Sequence, residues 1–259
     1  MMIKHFFLFC FFFSFTGSLH AQQGRFTGHS HNDYYQERPF HLAHENYFAS
    51  IEVDIWAIDG ELFVAHDREE VTKEKTLKTL YIDPILKVYQ ENKGKAWKDY
   101  NNTFMLLVDL KTSYDPALDL LVEQLKNYPE VFNPSVNPFA VRIVVSGNAP
   151  DPKLYYRYPS FIFFDGRIEK SYTVGQLQRV PLFSNSFRDY SQWDGNGTMP
   201  QEDRRLLVKY VKQVQNIDKK VRFWAIPDTP KVWEQFMELN VDLINTDKPS
   251  EYLKHFSKN

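Results

Sequence analysis

Cysteine is almost absent from this 259-residue sequence, which contains a single thiol, Cys10. Cys10 lies in a largely apolar run, 6–15, that is shorter than the roughly 20 apolar residues needed to cross a bilayer. Small residues then lead to Ala21, a pattern typical of a cleaved leader peptide. We therefore expect residues 1–21 to be a signal peptide and the mature protein to be exported, either periplasmic or secreted.

The expected mature chain, residues 22–259, contains no thiol at all. This absence excludes disulfides and thiolate ligands, so any metal site must use oxygen or imidazole donors. A net charge of −2 gives no support for binding nucleic acid. We expect no stable membrane insertion after removal of the leader, and the sequence identifies no partner protein. Because no repeat or Gly/Ser linker divides residues 22–259, we expect them to form one domain.

Short apolar segments alternate with amphipathic ones along this domain. The predicted strands are Arg25–Gly28, Ser50–Trp56, Phe104–Leu110, Val141–Ser146, Phe161–Phe164, Pro181–Asn185, Val221–Ile226 and Val241–Asn245. Strands that alternate with helices predict parallel pairing, and eight such units favour an α/β fold of the (β/α)₈ TIM barrel type. A doubly wound open sheet is the alternative, because periodicity alone does not establish closure.

One segment breaks the alternation. Leu62–Ala65 follows the second predicted strand across Asp59-Gly60, which is a strong signal for a two-residue hairpin turn. Continuing the antiparallel register from that turn brings His66 beside Asp54. We therefore expect a β-hairpin after strand 2 that carries a histidine to the rim of the barrel.

Carboxylates occur on two of the predicted strands. Glu52 and Asp54 stand two residues apart, so both point to one face of the second strand. A solvated face would explain them, but both faces of a parallel barrel strand are covered, and unpaired carboxylates are unstable there. Asp109 and Lys111 share a face on the third strand and alone would be a simple ion pair. Together, the three carboxylates would hold one divalent cation, Mg²⁺ or Ca²⁺, and Lys111 would face a bound anion.

Two histidines, His29 and His31, follow the first predicted strand. As metal ligands they would indicate an amidohydrolase-like barrel, which needs further imidazoles from later strands. No histidine occurs between His66 and His255, so that interpretation fails. As acid and base, one of the pair and His66 would flank a phosphorus centre, because imidazole exchanges protons near neutral pH.

The order of these motifs resembles the glycerophosphodiester phosphodiesterase and phosphatidylinositol phospholipase C superfamily. The segment Ser50–Asp67 matches the most distinctive stretch of that superfamily, and Val144–Asn148 and Thr246–Pro249 match further strand ends. The opening Gly28–Asp33 looks most like the branch of the altered-inheritance-of-mitochondria proteins. The resemblance covers essentially the whole mature chain and implies a TIM-barrel hydrolase of phosphodiesters.

The resemblance also implies a role for each candidate residue. The expected metal ligands are Glu52, Asp54 and Asp109. The expected catalytic residues are His29, His66 and Lys111, with Lys111 on the phosphate. The expected substrate contacts are His31, Asn32 and Trp224. His31 is also the alternative to His29 as the first catalytic histidine, and packing alone would explain Trp224 equally well.

Two departures prevent the substrate from being carried over. The third carboxylate is Asp109, where glycerophosphodiesterases usually have Glu, and the long insertion that follows their second histidine is absent after His66. Asp-x-Lys without that insertion is more similar to the spider-venom sphingomyelinase D group. We expect an exported, metal-dependent phosphodiesterase acting on a small phosphodiester or phospholipid substrate. The alternatives are a barrel glycoside hydrolase, which also uses paired acids, and a non-catalytic ligand-binding barrel.

Overall fold

The computed structural model describes residues 26–257. The expected leader, residues 1–21 with Cys10, and Arg25 of the first predicted strand lie outside the described residues. None of the helices within residues 26–257 combines the length and the apolar composition that a membrane span requires.

Eight parallel strands close into a barrel, and a further strand pairs antiparallel with the second of them. Over residues 26–257 the strands are β1 (Gly28–Ser30), β2 (Ser50–Ile58), β3 (Glu61–Val64), β4 (Met105–Leu110), β5 (Arg142–Gly147), β6 (Ile162–Gly166), β7 (Leu182–Ser186), β8 (Lys220–Trp224) and β9 (Leu243–Thr246). Their order is β1-β9-β8-β7-β6-β5-β4-β2-β3, and β1 also pairs with β2. This closure confirms the predicted TIM barrel with its hairpin and excludes the open sheet.

Helices cover the outside of the barrel. In the described part of the chain the α-helices are α1 (His41–Glu45), α2 (Asp83–Glu91), α3 (Tyr114–Leu125), α4 (Pro129–Phe132), α5 (Val174–Leu177), α6 (Gln201–Gln215), α7 (Pro230–Glu238) and α8 (Pro249–Phe256). A π-helix spans Lys78–Ile82, and 3₁₀ turns span Asp33–Tyr35, Arg68–Glu70, Pro152–Arg157 and Phe187–Asp189. In α3, Leu118, Leu121 and Leu125 recur at helical spacing and are buried, which gives the helix one apolar face toward the sheet.

The alternation of side chains along the strands creates two apolar layers. Outward residues such as Ile51 and Val53 are buried in the larger core between sheet and helices. Inward residues form a separate cluster that fills the lower lumen: Ala49, Met105, Leu107, Val144, Phe163, Leu182 and Leu243. Toward the carboxyl ends of the same strands the inward residues become polar. The candidate site therefore lies at the carboxyl end of the lumen, where the inward side chains are polar.

The hairpin has the predicted register. Asp59 and Gly60 both have positive φ, 50° and 82°, as a tight hairpin turn requires. Ile58 pairs with Glu61, and the chain beyond β3 returns along β2. His66 is thereby carried to Asp54.

All eight predicted strands differ from the observed strands by one to three residues at one or both ends, and two of these differences have a visible cause. The first strand is β1, Gly28–Ser30, later than predicted, because the polar residues His29 and Ser30 gain backbone partners on both β2 and β9. Strand β8 ends at Trp224 rather than Ile226. The cause is Ala225, whose φ of 57° does not belong to an extended strand.

Candidate active site

The three predicted metal ligands lie on adjacent strands at the carboxyl end of the barrel. The register pairs Glu52 with Leu107 and Asp54 with Asp109, so the inward faces of β2 and β4 bring the carboxylates onto one wall of the lumen. This is the end at which the active sites of TIM-barrel enzymes form.

Asp54 is the centre of the cluster. Its Oδ2 accepts a hydrogen bond from the Tyr34 hydroxyl at 2.8 Å, and it lies 3.0 Å from Nδ1 of His66 and 2.9 Å from Nζ of Lys111. Its Oδ1 is buried and has no hydrogen-bond partner within residues 26–257. Burial raises the pKa of Asp54, and the Lys111 charge opposes that effect. An unpartnered buried oxygen costs about 1–3 kcal/mol, so a cation bound there would be stabilising.

Lys111 joins two of the carboxylates. Its Nζ lies 2.9 Å from Oδ2 of Asp54 and 2.9 Å from Oδ2 of Asp109. Burial lowers the pKa of Lys111, but the Asp109 and Asp54 charges outweigh burial, so the net shift is upward and the ammonium stays charged. The simple Asp–Lys ion pair is therefore present and is extended to a second strand.

Glu52 is neutralised by a buried arginine. The Arg222 guanidinium forms an ion pair with Oε2 of Glu52, and its Nε donates to Oδ1 of Asn245 at 2.8 Å. Burial raises the pKa of Glu52, but the Arg222 charge and the His29 hydrogen bond outweigh burial and hold that pKa well below its usual range. Glu52 is thus an ionised carboxylate inside the barrel.

His29 lies beneath the mouth of the lumen, completely buried. Its Nδ1 is 2.9 Å from the Ser50 hydroxyl, and its Nε2 is 2.9 Å from Oε2 of Glu52. Burial, followed by the nearby Arg222 charge, lowers the pKa of His29 to about 4. The imidazole is therefore neutral near pH 7, with both ring nitrogens engaged.

His31 and His66 lie at the rim, each against a carboxylate. Nδ1 of His31 is 2.8 Å from Oδ1 of Asp247, and the His31 side chain is 28% exposed. Nδ1 of His66 contacts Asp54, and the His66 side chain is 48% exposed. Burial lowers the pKa of His31, but the Asp247 hydrogen bond and the Glu52 charge outweigh burial, so the net shift is upward. In both rings the carboxylate occupies Nδ1, which directs Nε2 away from it.

The other two predicted substrate contacts lie at the same end of the barrel. Asn32 has a left-handed backbone, with φ 46°, and its Oδ1 lies 2.9 Å from the Tyr34 hydroxyl, whose single proton is shared between Asn32 and Asp54. Asn32 is therefore linked to Asp54 through Tyr34. Trp224 ends β8 with 41% of its surface exposed, which leaves an indole ring at the mouth.

Sequence reasoning missed Arg222 and Tyr34. A signal existed for Arg222, which is a lone charge between the apolar residues Val221 and Phe223 of a predicted buried strand. Tyr34 has no such signal, because its hydroxyl reaches the site through a short 3₁₀ turn that no periodicity marks.

Two family models match this chain. Residues 20–165 match the AIM6-like phosphodiesterase domain, and residues 220–250 match the glycerophosphoryl diester phosphodiesterase family. The chain is 28% identical to altered inheritance of mitochondria protein 6 of Eremothecium gossypii, over 85% of this chain and 66% of that protein. It is 25% identical to the homolog from Arthroderma benhamiae, over 85% of this chain and 80% of that protein.

Solved structures share the barrel. A glycerophosphodiester phosphodiesterase from Parabacteroides distasonis superposes with a TM-score of 0.54 at 15% identity, over 90% of this chain and 98% of that one. An Oleispira antarctica phosphodiesterase in complex with the product sn-glycerol-3-phosphate gives a TM-score of 0.53 at 12% identity, over 92% and 99%. Identity this low shows the fold alone. Because the first family model covers more than half of the sequence, the chain belongs to the AIM6-like phosphodiesterase domain family, a branch of the glycerophosphodiester phosphodiesterase superfamily.

Proposed function

We propose that this protein is a metal-dependent phosphodiesterase that cleaves a small phosphodiester of the glycerophosphodiester or phospholipid-headgroup type. One observation carries the proposal: two partly exposed imidazoles, His31 and His66, each have Nδ1 against a carboxylate at the same barrel mouth. Lys111 and the carboxylate cluster lie on the same side of the lumen as His66, because Lys111 and His66 both contact Asp54. Two oriented imidazoles beside a cation are the groups that phosphodiester cleavage needs.

The geometry favours His31 over His29 as the partner of His66. Both ring nitrogens of His29 are engaged and the side chain has no exposed surface. His31 keeps Nε2 on the side away from Asp247, as His66 keeps Nε2 on the side away from Asp54. We assign proton exchange to His31 and His66, and we assign to His29 the support of Glu52.

In this scheme one imidazole Nε2 accepts the proton of the attacking hydroxyl as the new P–O bond forms. The other imidazolium donates a proton from Nε2 to the leaving oxygen as its bond to phosphorus breaks. The carboxylate behind each ring stabilises the imidazolium form and fixes its orientation. The attacking hydroxyl belongs either to water or to the substrate itself. We assign to the Lys111 ammonium the binding of a non-bridging phosphate oxygen.

The donor chemistry of the cluster fits a hard divalent cation. In residues 26–257 no three His, Cys, Asp or Glu side chains are already placed around one point as ligands, because Arg222 and Lys111 are paired with the carboxylates. The buried, unpartnered Oδ1 of Asp54 is nevertheless a ready ligand. Glu52, Asp54 and Asp109 would hold Mg²⁺ or Ca²⁺ through oxygen atoms. Such a cation would stabilise the negative charge that develops on the phosphate oxygens.

The balance of charge in the cluster also supports a cation. Three carboxylates, Glu52, Asp54 and Asp109, face two cationic side chains, Lys111 and Arg222. When Asp247 and the one imidazolium that the scheme requires are counted as well, four carboxylates face three cationic groups. The cluster then carries one excess negative charge, and an anionic phosphodiester would bring a second. One divalent cation restores neutrality, and an uncompensated buried charge would cost several kcal/mol.

Hydrolysis assays test this proposal. The purified protein is assayed against glycerophosphodiesters, lysophospholipids, sphingomyelin and bis-p-nitrophenyl phosphate, first with EDTA and then with Mg²⁺ or Ca²⁺ restored. We expect cleavage that depends on the cation and is lost in His31→Ala and His66→Ala. His41→Ala, in α1 outside the cluster, is the matched control. Cleavage that survives chelation, or no cleavage and no cation binding by calorimetry, would overturn the proposal.

A further inference from the structure

A second cationic group is fixed on another wall of the lumen. Arg167 directly follows β6, and its Nη1 donates to Oδ2 of Asp165 at 2.7 Å and to the Gly166 carbonyl oxygen at 2.9 Å. The Arg167 side chain is 28% exposed, whereas the Asp165 side chain is completely buried. The ion pair therefore anchors the guanidinium from below and leaves part of it open at the barrel mouth.

Asp165 is itself held by the neighbouring strands. Its Oδ1 accepts from the backbone N–H of Ser184 in β7 at 3.0 Å, and its Oδ2 accepts from the Ser146 hydroxyl in β5 at 3.3 Å. A carboxylate fixed from both sides restricts the rotamers of the arginine that it binds, so little side-chain entropy is lost when that arginine binds a ligand.

Donors remain available around this ion pair. Within residues 26–257, the side-chain hydrogen bonds of Arg167 all use Nη1, so Nε and Nη2 have no protein acceptor. In the same part of the chain the Ser184 hydroxyl is buried and has no partner. A buried hydroxyl and an anchored guanidinium on neighbouring strands are donors suited to an anion.

The position of this group relative to Lys111 follows from the register. Asp109 in β4 pairs with Ser146 in β5, and Ser146 hydrogen-bonds to Asp165 in β6. Arg167 and Lys111 therefore lie at the ends of strands that are two apart. With neighbouring strands about 4.8 Å apart, the lateral separation of the two strand ends is roughly 10 Å. Each cation is held by a carboxylate of its own strand, Asp109 for Lys111 and Asp165 for Arg167, so the two cations offer separate positions for anions.

We propose that Arg167, supported by Asp165 and Ser184, forms a subsite for a second anionic group of the substrate, several bonds away from the scissile phosphate. The inference rests on the proposed phosphodiesterase function and extends it. It specifies a substrate class: phosphodiesters whose headgroup carries an additional phosphate or carboxylate. The guanidinium fork suits such a group, because two parallel N–H donors match two oxygens of one anion.

A matched pair of substrates tests the subsite. Glycerophosphoinositol 4-phosphate and glycerophosphoinositol contain the same scissile bond and differ in one phosphate. We expect wild-type kcat/KM to be at least about tenfold higher for the phosphorylated diester, as one charge-assisted hydrogen-bonded contact would give. Arg167→Gln should abolish that preference, so that kcat/KM becomes equal for the two diesters. Equal kcat/KM for the two diesters in the wild type would overturn the proposal.

Two variants separate binding from folding. Arg167→Lys keeps a charge beside buried Asp165 and should retain the native unfolding midpoint, but it loses the fork and most of the preference. Arg157→Gln changes an exposed arginine in the turn after β5 and should leave the preference intact. If Arg167→Lys retains the full preference, an oriented guanidinium is not the determinant and the subsite is wrong.

Calorimetry without turnover distinguishes failure of this inference from failure of the proposed function. The wild type should bind glycerol 1,3-bisphosphate more tightly than glycerol 3-phosphate, and Arg167→Gln should remove the difference. That result with no cleavage of any diester would retain the anion subsite and reject the phosphodiesterase. Cleavage of diesters with equal binding of the two phosphates would retain the phosphodiesterase and reject the subsite.

Discussion

His31 and Asp247 form a 2.8 Å contact between Nδ1 and Oδ1, although 216 residues separate them along the chain. The contact joins the end of β1 to the end of β9. It leaves Nε2 of His31 at the barrel mouth, in the same orientation relative to its carboxylate as His66 has relative to Asp54. The proposed assignment of proton exchange to His31 rather than His29 rests on this second His–Asp pair.

His31→Ala should therefore lower kcat by about 100-fold or more, the usual contribution of a general acid or base. Asp247→Asn should lower kcat by a smaller factor, about tenfold, because the ring stays in place but its imidazolium loses a charged partner. His29→Ala should instead lower the free energy of unfolding by about 1–3 kcal/mol, because buried Glu52 and Ser50 lose a partner. Turnover and urea unfolding of the three variants check this. Normal kcat in folded His31→Ala would exclude His31 as acid or base.

Arg222→Met should destabilise the fold strongly. Glu52 would remain buried without its cationic partner, and breaking a buried ion pair in this way costs about 3–5 kcal/mol. The double variant Glu52→Gln/Arg222→Met should recover part of that loss, since the neutral amide needs no counter-charge. Urea unfolding of both variants and of Glu52→Gln gives the coupling energy. An unchanged midpoint for Arg222→Met would show that the ion pair contributes nothing to stability.

Gly147→Ala should disturb both the fold and the carboxylate cluster. Gly147 has φ +66°, and a Cβ there would lie 2.6 Å from the Leu110 carbonyl oxygen and 2.9 Å from Oδ1 of Asp109. Gly60→Ala is the matched control, because its φ is +82° but nothing lies within 4 Å of the added Cβ. We expect about 1 kcal/mol of backbone strain in both variants. Only Gly147→Ala should lose further stability and weaken Mg²⁺ or Ca²⁺ binding, measured by unfolding and calorimetry.

Acidification should destabilise the protein partly through His44. The ring is stacked between Phe40 and Trp97, with centroid distances of 5.0 and 5.4 Å, and its Nε2 donates to the Ala96 carbonyl oxygen at 2.7 Å. Burial lowers the pKa of His44 below its usual value of 6.5. The unfolded chain therefore binds a proton more readily, so this contribution to stability is complete above pH 6.5 and is lost as pH falls toward the lowered pKa.

The variant His44→Phe keeps a stacked ring and removes the titrating group. The free energy of unfolding, measured in urea at about pH 7.5 and about pH 5, should fall less for the variant than for the wild type. The variant itself should be less stable at the higher pH, because the Ala96 carbonyl loses a donor. An identical decrease for both proteins would assign the acid sensitivity to other groups.

The sequence could predict those parts of the site whose positions depend on local patterns. The Asp59-Gly60 turn determines the register of β3 on β2, so the position of His66 beside Asp54 follows from about a dozen consecutive residues. The inward pair Glu52 and Asp54 follows from the alternation of one strand.

Contacts between distant strands could not be predicted in the same way. The partner of Arg222 lies 170 residues away, and only closure of the barrel places both side chains in one lumen. For the same reason the sequence predicts the polar strand β1 too early in the chain. Its backbone partners are on β2 and β9, and the local sequence does not reveal them. Burial of the His29 side chain also depends on that closure, so the sequence alone leaves His29 and His31 as alternatives for the first catalytic histidine.

Within residues 26–257 the shortest strand of the barrel is β1, which has three residues and lies between β2 and β9. The Glu52–Arg222 ion pair and the His31–Asp247 contact both cross this region. A ribosome-bound chain that has not yet released β8 and β9 therefore holds Glu52 without Arg222 and His31 without Asp247. Both contacts form in the step that closes the barrel, so a chain arrested before β8 and β9 emerge has an open barrel, a Glu52 without its arginine and no carboxylate behind His31.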